Sequence, residues 1–150
     1  MLIQQLNRTD AERVQIVVKN VDGGGSITTG MGVALVGTAA SGDGINAVRS
    51  TAALANAFAG VAAADIAINA YGLVTAWGYA ASVAISQSVG SWTITAGETL
   101  RLAGAAGHFT SVITAQAVST QMYRYVIALG AVADTISNPR TYMSGLVRAL

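Results

Sequence analysis

The sequence contains no cysteine, one histidine and one proline among its 150 residues. The lack of cysteine excludes disulfide bonds, thiolate nucleophiles and Cys-ligated zinc or iron–sulfur sites. Charged residues are also scarce, at 10% of the chain, and the formal net charge is +1. The chain is therefore not of the disordered, charge-rich class, and its field is too weak to steer it to nucleic acid.

Bulky side chains are few as well. The chain has two Phe and two Trp but 29 Ala and 17 Gly, although 53% of its residues are hydrophobic. Small side chains each bury little area, and apolar burial contributes only about 25 cal/mol per Å². We therefore expect part of the stability to come from a partner surface. The length fits one domain, and we predict an N-terminal arm over residues 1–13 and a single domain over residues 14–150.

Residues 66–97 carry no charge, which raises the question of a membrane span. The best window, Ala70–Val89, is interrupted by Gly, Ser, Thr and Gln, and its nearest flanking charges are the acids Asp65 and Glu98 rather than Lys or Arg. Residues 1–20 contain five charged side chains and lack the apolar run of a secretory signal. We expect neither a membrane span nor a signal peptide.

The pattern of apolar residues favours β-strands. Apolar positions 14, 16 and 18 alternate with Gln15, Val17 and Lys19, which is the two-residue period of a strand. Further strands or short apolar runs are predicted at Met31–Val36, Leu73–Trp77, Ala81–Ser86, Trp92–Thr95, Thr99–Leu102, Met122–Leu129 and Tyr142–Leu150. Turns every eight to twelve residues are typical of all-β domains. We predict an all-β fold, a single-domain β-sandwich or β-barrel with a short N-terminal arm.

The segments between these strands are predicted from glycine, proline and alanine. Val21–Gly30 is expected to be a flexible loop, and turns are expected at Ser41–Gly44 and Asn138–Pro139. Gly78 is expected to separate two strands. The Ala-rich stretch Thr51–Ala59 is the best helix candidate.

Catalytic and metal-binding groups are almost absent from the sequence. The only histidine, His108, follows a loop-like stretch and precedes Ser111, but no Gly-x-Ser-x-Gly elbow is present. We expect His108 to be a surface or turn residue. One His and no Cys cannot supply a His or Cys ligand set, so no metal or cofactor is predicted. Asp22 and Asp43 lie beside glycines and could offer oxygens to calcium, although turn formation explains both.

The remaining features indicate an interaction surface. Six of the fifteen charges fall in the first 22 residues, ahead of a nearly neutral body, and Arg residues lie among Tyr residues near the C-terminus. Arg, Tyr and Trp are enriched at interface hot spots. The interface candidates are Arg8, Arg13, Tyr71, Trp77, Tyr79, Arg124, Arg140 and Arg148. The alternative is that the arginines are ordinary surface residues.

Several short, mostly apolar segments of the chain resemble segments of small structural proteins of tailed-phage heads. These segments are Phe58–Ala62 (FAGVA), Asp65–Asn69 (DIAIN), Tyr71–Tyr79 (YGLVTAWGY), Ala81–Val83 (ASV), Thr95–Leu100 (TAGETL) and Gly145–Leu150 (GLVRAL). The resemblance implies a capsid decoration, or cement, protein: an all-β domain on the outer surface of the virion shell. Such a protein is a dimer or trimer, binds the major capsid protein and bridges neighbouring capsomers. The resemblance brings no catalytic residue.

Three other functions stay open at this stage. The first is a tail or head–tail joining component, which would share the composition. The second is a carbohydrate-binding adhesive β-sandwich with Trp77, Tyr79 and Trp92 as sugar platforms. The third is an enzyme built on His108.

Overall fold

The computed structural model describes residues 13–37, 45–86, 92–111, 125–134 and 140–149, and these ranges contain eleven β-strands. The strands are β1 Val14–Asn20, β2 Gly32–Leu35, β3 Asn46–Arg49, β4 Phe58–Ala62, β5 Tyr71–Ser86, β6 Trp92–Ile94, β7 Thr99–Leu102, β8 Phe109–Ser111, β9 Val126–Ala128, β10 Val132–Asp134 and β11 Arg140–Arg148. In the described part of the chain, the helical element is one six-residue 3₁₀-helix, Ala52–Ala57. The prediction of an all-β fold is confirmed.

Nine of the strands form one sheet that closes on itself twice. Their order is β1-β3-β2-β4-β5-β11-β9-β7-β8, and β5 also pairs with β1 and with β8. The extra pairings create two closed circuits of five strands, and β5 is a wall of both. We call β1-β3-β2-β4-β5 the first barrel and β5-β11-β9-β7-β8 the second barrel. Strands β6 and β10 form a separate two-stranded ribbon.

The buried residues form two hydrophobic cores, one inside the first barrel and a second that joins the second barrel to Phe58 and Val61 of β4. The first core is built around Val18, Ile27, Val33, Ile66 and Val74, and the second around Val83, Ile85, Leu100, Phe109 and Val126. Successive side chains of a strand point to opposite faces, so one strand can serve two cores. Near the end of β5, Ala84 packs into the first core, whereas its neighbours Val83 and Ile85 pack into the second.

The predicted helix at Thr51–Ala59 is correct in place but wrong in its extent. Only Ala52–Ala57 is helical, as a 3₁₀-helix in which Leu54 has non-helical angles, and Thr51 gives no side-chain cap. The last two residues of the prediction, Phe58 and Ala59, belong to β4, whose five residues are all buried. Strand β4 pairs with both β2 and β5, and this tertiary pairing overrides the high helix propensity of alanine.

The predicted break at Gly78 is also wrong. Tyr71–Ser86 is one strand of 16 residues, and Gly78 lies within it at φ +99°. At the neighbouring Trp77, β5 pairs with Val14 of β1 and with Arg148 of β11. Because the two partners overlap there, the strand passes without interruption from the first barrel into the second.

Other local predictions have mixed outcomes. Strands β1, β2, β6, β7, β9 and β11 fall within or overlap predicted segments, whereas β3, β8 and β10 were not predicted. Val21–Gly30 is a loop, but Ile27 anchors its middle because it is fully buried and bridges Ile66. The predicted turns at 41–44 and 138–139 lie outside the described residues. The division into an arm and a domain stays a prediction.

The structure shows what the uncharged segment at residues 66–97 forms where it is described. Within the ranges given above, the chain has no helix long and apolar enough to cross a membrane. The window Ala70–Val89 instead contributes β5, up to Ser86.

An ion pair holds the loop after β1 against β3. Asp22 Oδ1 accepts a hydrogen bond from the Gly24 amide at 2.8 Å, and Asp22 Oδ2 accepts hydrogen bonds from the Arg49 amide at 3.0 Å and from Arg49 Nε at 2.8 Å. The hydrogen-bonded Arg49 guanidinium lowers the pKa of Asp22 from its ordinary 3.8 to about 2. This local role explains the Asp–Gly sequence without calcium, and Asp43 lies outside the described residues.

We expect Asp22→Asn to lower the free energy of unfolding by about 1–2 kcal/mol at neutral pH. The pKa of Asp22 is lower in the folded than in the unfolded protein, so its stabilisation is complete above the unfolded value of 3.8 and is lost as the pH falls towards about 2. Urea unfolding of both proteins at pH 7 and pH 3 checks this. The gap between them should narrow at pH 3, and a constant gap would contradict the assignment.

Candidate functional site

Three aromatic side chains of β5 each lie beneath a cation. Arg13 Cζ is 5.3 Å from the ring centroid of Tyr79, Lys19 Nζ is 5.9 Å from that of Tyr71, and Arg148 Cζ is 5.9 Å from that of Trp77. Contacts at these distances are attractive by about 0.5–1 kcal/mol at exposed sites. The cations are thereby held against the surface of β5.

Two of these pairs belong to a continuous strip between β1 and β5. On β1, Val18 and Asn20 are fully buried, whereas the alternate residues Gln15, Val17 and Lys19 face outward. Val17 lies directly opposite Leu73, and Lys19 lies directly opposite Tyr71.

Two further contacts extend this strip towards the start of β1. Gln15 Nε2 donates a hydrogen bond to Thr75 Oγ1 at 3.4 Å, and Arg13, two residues before Gln15, covers Tyr79. Each outward residue of β1 therefore has a partner on β5. We define the β1–β5 strip as Arg13, Gln15, Val17 and Lys19 together with Tyr71, Leu73, Thr75 and Tyr79.

The centre of the strip is apolar and exposed to water. The exposed fractions of Val17, Leu73 and Tyr71 are 57%, 45% and 64%. Single exposed hydrophobic residues are common, but a contiguous set indicates an interaction surface. Val17 and Leu73 are cross-strand neighbours and Tyr71 is the next outward residue of β5, so the three form one such set.

The Arg13 end of the strip borders a small open pocket. Its volume is ≈ 100 Å³, and Arg13, Gln15, Thr75 and Tyr79 are among its lining residues. Pockets for small-molecule ligands usually measure about 300–1,000 Å³, so this one is too small for such a ligand. A guanidinium and an amide together suit one carboxylate.

Among the residues that the structure describes, the cations at both ends of the strip lack an acidic partner. Within residues 13–37, 45–86, 92–111, 125–134 and 140–149, neither Arg13 nor Lys19 forms an ion pair, and the strip itself contains no carboxylate. Asp65 accepts hydrogen bonds from Thr29, which lower the pKa of Asp65, and Glu98 accepts one from Thr95. The strip is therefore a positively charged surface with an apolar centre.

The structure brings only some of the sequence-predicted interface residues together. Arg13, Tyr71 and Tyr79 lie in the β1–β5 strip, while Trp77 and Arg148 pair with each other where β5 meets β11. Arg8 and Arg124 lie outside the described residues, and Arg140 begins β11 opposite Ser86, with its side chain also outside the description.

The sequence prediction missed Val17, Lys19 and Leu73. A signal for Val17 was present in the alternation of β1, because it is an apolar residue at an outward position. Its partner Leu73 is far away in sequence, and no local pattern joins the two.

Of the two expectations for His108, the surface position is wrong and the turn position is correct, because its amide closes a turn on the Ala105 carbonyl oxygen at 3.2 Å. His108 is 5% exposed and lies between the loop after β7 and β8, where its Nδ1 is 2.8 Å from the Ala106 carbonyl oxygen. Ser111 Oγ donates a hydrogen bond to Glu98 Oε2 at 3.2 Å. Among the residues that the structure describes, no group of three His, Asp or Glu side chains is placed to hold a metal ion.

Comparison with known proteins assigns no family to the chain. No family model matches, and no curated protein matches. Among solved structures, the chain is similar to the N base of the head fiber protein gp8.5 of bacteriophage phi29, with 11% identity over 92% of this chain and 96% of that chain and a TM-score of 0.47. A likeness at this level shows neither family nor function.

Proposed function

We propose that this chain is a non-enzymatic structural protein of a tailed-phage head that binds the outer surface of the capsid and bridges neighbouring capsomers. The observation that carries the proposal is the β1–β5 strip, an exposed apolar surface with a cation at each end. The resemblance of several short apolar segments of the sequence to tailed-phage head proteins supports the choice of partner. That partner would be the major capsid protein.

The architecture suits a part that resists deformation. The pairing of β1 with β5 closes the first barrel, so the strip lies on two strands that are hydrogen-bonded on both sides. A preformed surface loses little conformational entropy on binding. A single contact of this size is weak, but many copies on one shell, each attached to two capsomers, give a large combined effect.

The ionisable groups with shifted pKa values support a non-enzymatic role. Hydrogen bonds to Arg49 and Thr29 lower the pKa values of Asp22 and Asp65, respectively. Both carboxylates tie loops to neighbouring segments and neither lines the pocket beside Arg13. Structural pairing of this kind accounts for the shifts without a reaction.

The function is tested with shells assembled from the cognate major capsid protein, with and without this chain. The chain should co-sediment with the shells, and decorated shells should survive higher temperatures and stronger osmotic shock than bare ones. Failure to co-sediment, or equal survival, would contradict the proposal. Light scattering on the free chain tests the proposed dimer or trimer separately.

The double variant Val17→Thr/Leu73→Thr should fold normally but bind shells about tenfold more weakly. Both side chains are exposed and threonine is well accepted in strands, so we expect a stability change within about 0.5 kcal/mol for each substitution. The loss of binding follows from the smaller apolar area removed from water. Co-sedimentation titrations and urea unfolding measure the two effects.

Leu129→Thr is the matched control for this variant. Leu129 is 48% exposed, but it follows β9 in the second barrel, away from the strip. It should bind shells as the unmodified chain does. An equal loss of binding in the control would contradict the assignment of the β1–β5 strip as the shell-binding surface.

A further inference from the structure

From the β1–β5 strip we infer the chemistry of the surface that it binds: an acidic protein surface, with carboxylates placed for Arg13 and Lys19 and an apolar patch between them. This inference rests on the proposed function for the identity of the partner, the outer face of the shell. It adds what side chains the partner must present to this strip.

The spacing of the two cations defines the pattern. The cations of Arg13 and Lys19 lie over the rings of Tyr79 and Tyr71, eight residues apart on β5, which places the cations about 20–25 Å apart. Val17 and Leu73 lie between them as a directly opposed pair. A complementary surface therefore needs two acidic groups about 20–25 Å apart, flanking apolar side chains.

The cations are arranged in advance for such a contact. The rings of Tyr79 and Tyr71 hold Arg13 and Lys19 near the surface, which restricts two long side chains before binding. The pocket beside Arg13 adds the Gln15 amide, which has a second N–H besides the one donated to Thr75, so a carboxylate there would meet a guanidinium and an amide. Charged hydrogen bonds to carboxylates are among the stronger polar contacts at interfaces.

Charge complementarity decides among the possible occupants. Two copies meeting through the same strip would place cations against cations, because none of its eight residues is acidic. Nucleic acid presents a phosphate about every 3.4 Å along each strand, whereas the strip offers two cations about 20–25 Å apart. Both tyrosine rings already carry a cation on one face, which limits their use as stacking platforms.

The experiment compares Arg13→Glu/Lys19→Glu with the unmodified chain in co-sedimentation with shells. We expect affinity to fall on the order of 100-fold, since each substitution places like charges opposite each other. Arg101→Glu is the control, because Arg101 is an exposed cation on β7 outside the strip. It should bind as the unmodified chain does. The charge-preserving variant Lys19→Arg should retain binding within about threefold, because the charge is kept and a guanidinium also packs well over the ring of Tyr71. Unfolding curves confirm that each variant is folded.

The outcomes separate this inference from the proposed function. If the unmodified chain binds shells and the double reversal binds equally well, the function stands and the inference is wrong. If the unmodified chain does not bind shells, the function is wrong, and immobilised poly-L-glutamate then tests the strip alone. The unmodified chain should be retained at about 50 mM salt and released at about 500 mM, whereas the double reversal should pass through. Passage of the unmodified chain, equal retention on single-stranded DNA, or loss of a dimer in the double reversal would overturn the inference.

Discussion

Replacing Gly60 with alanine should lower the free energy of unfolding by about 3–5 kcal/mol, a large part of the stability of a domain this size. Gly60 lies in β4 at φ +145°, a conformation that residues with a side chain rarely adopt. A Cβ atom there would clash with the carbonyl oxygen of Thr75 and lie 2.8 Å from its carbonyl carbon. Since both atoms belong to the backbone of β5, the clash can be relieved only by separating two paired strands.

The loss in Gly60→Ala combines backbone strain at a positive φ with a steric clash against β5. Gly97→Ala measures the backbone strain alone. Gly97 also has a positive φ, +89°, but a Cβ atom there would meet nothing within 4 Å. We expect a loss of about 1–2 kcal/mol from backbone strain alone. Urea unfolding of both variants measures the difference. Equal losses would show that the close approach of β4 to β5 is not what requires glycine at position 60.

Phe109→Ala should lower the free energy of unfolding by about 3–5 kcal/mol. Phe109 is fully buried in the second core, and its ring meets that of Phe58 edge to face at 5.8 Å between centroids. Phe109 has the largest fully buried side chain among the residues that the structure describes. Its removal would leave a cavity among the large side chains of the second core, which relax only partially around it.

The same variant tests whether the two barrels unfold together. Phe109 belongs to the second barrel, but β5 is a strand of both barrels. The substitution should therefore lower the free energy of unfolding of the first barrel by the same amount. Hydrogen exchange at Val33 in β2 and at Leu100 in β7 should report the same decrease in protection. A decrease at Leu100 with none at Val33 would mean that the barrels unfold independently. Tyr142→Ala is the control, because Tyr142 is 52% exposed.

Local pattern was enough for some elements of this fold. The alternation at residues 14–19 predicts β1, and the glycines around Thr99–Leu102 delimit β7 correctly. The continuity of β5 through Gly78 was not predictable in this way. It depends on β1 and β11, which pair with β5 on either side of Trp77 and come from opposite ends of the chain.

The candidate site shows the same division. Arg13, Tyr71 and Tyr79 could be selected from the sequence because arginine and tyrosine are common at interfaces. Which cation covers which ring depends on the register of β1 against β5, and that register joins segments that are distant in sequence. The apolar centre of the strip was missed for the same reason, because Val17 forms a contiguous apolar surface only together with Leu73.

The most direct test of the account is a cryo-EM reconstruction of shells decorated with this chain. The account predicts that the β1–β5 strip faces the shell, with acidic side chains of the capsid protein within about 4 Å of Arg13 and Lys19. It also predicts that Val17 and Leu73 are covered. A reconstruction in which the strip faces solvent, or in which the chain is absent from the shell, would contradict it.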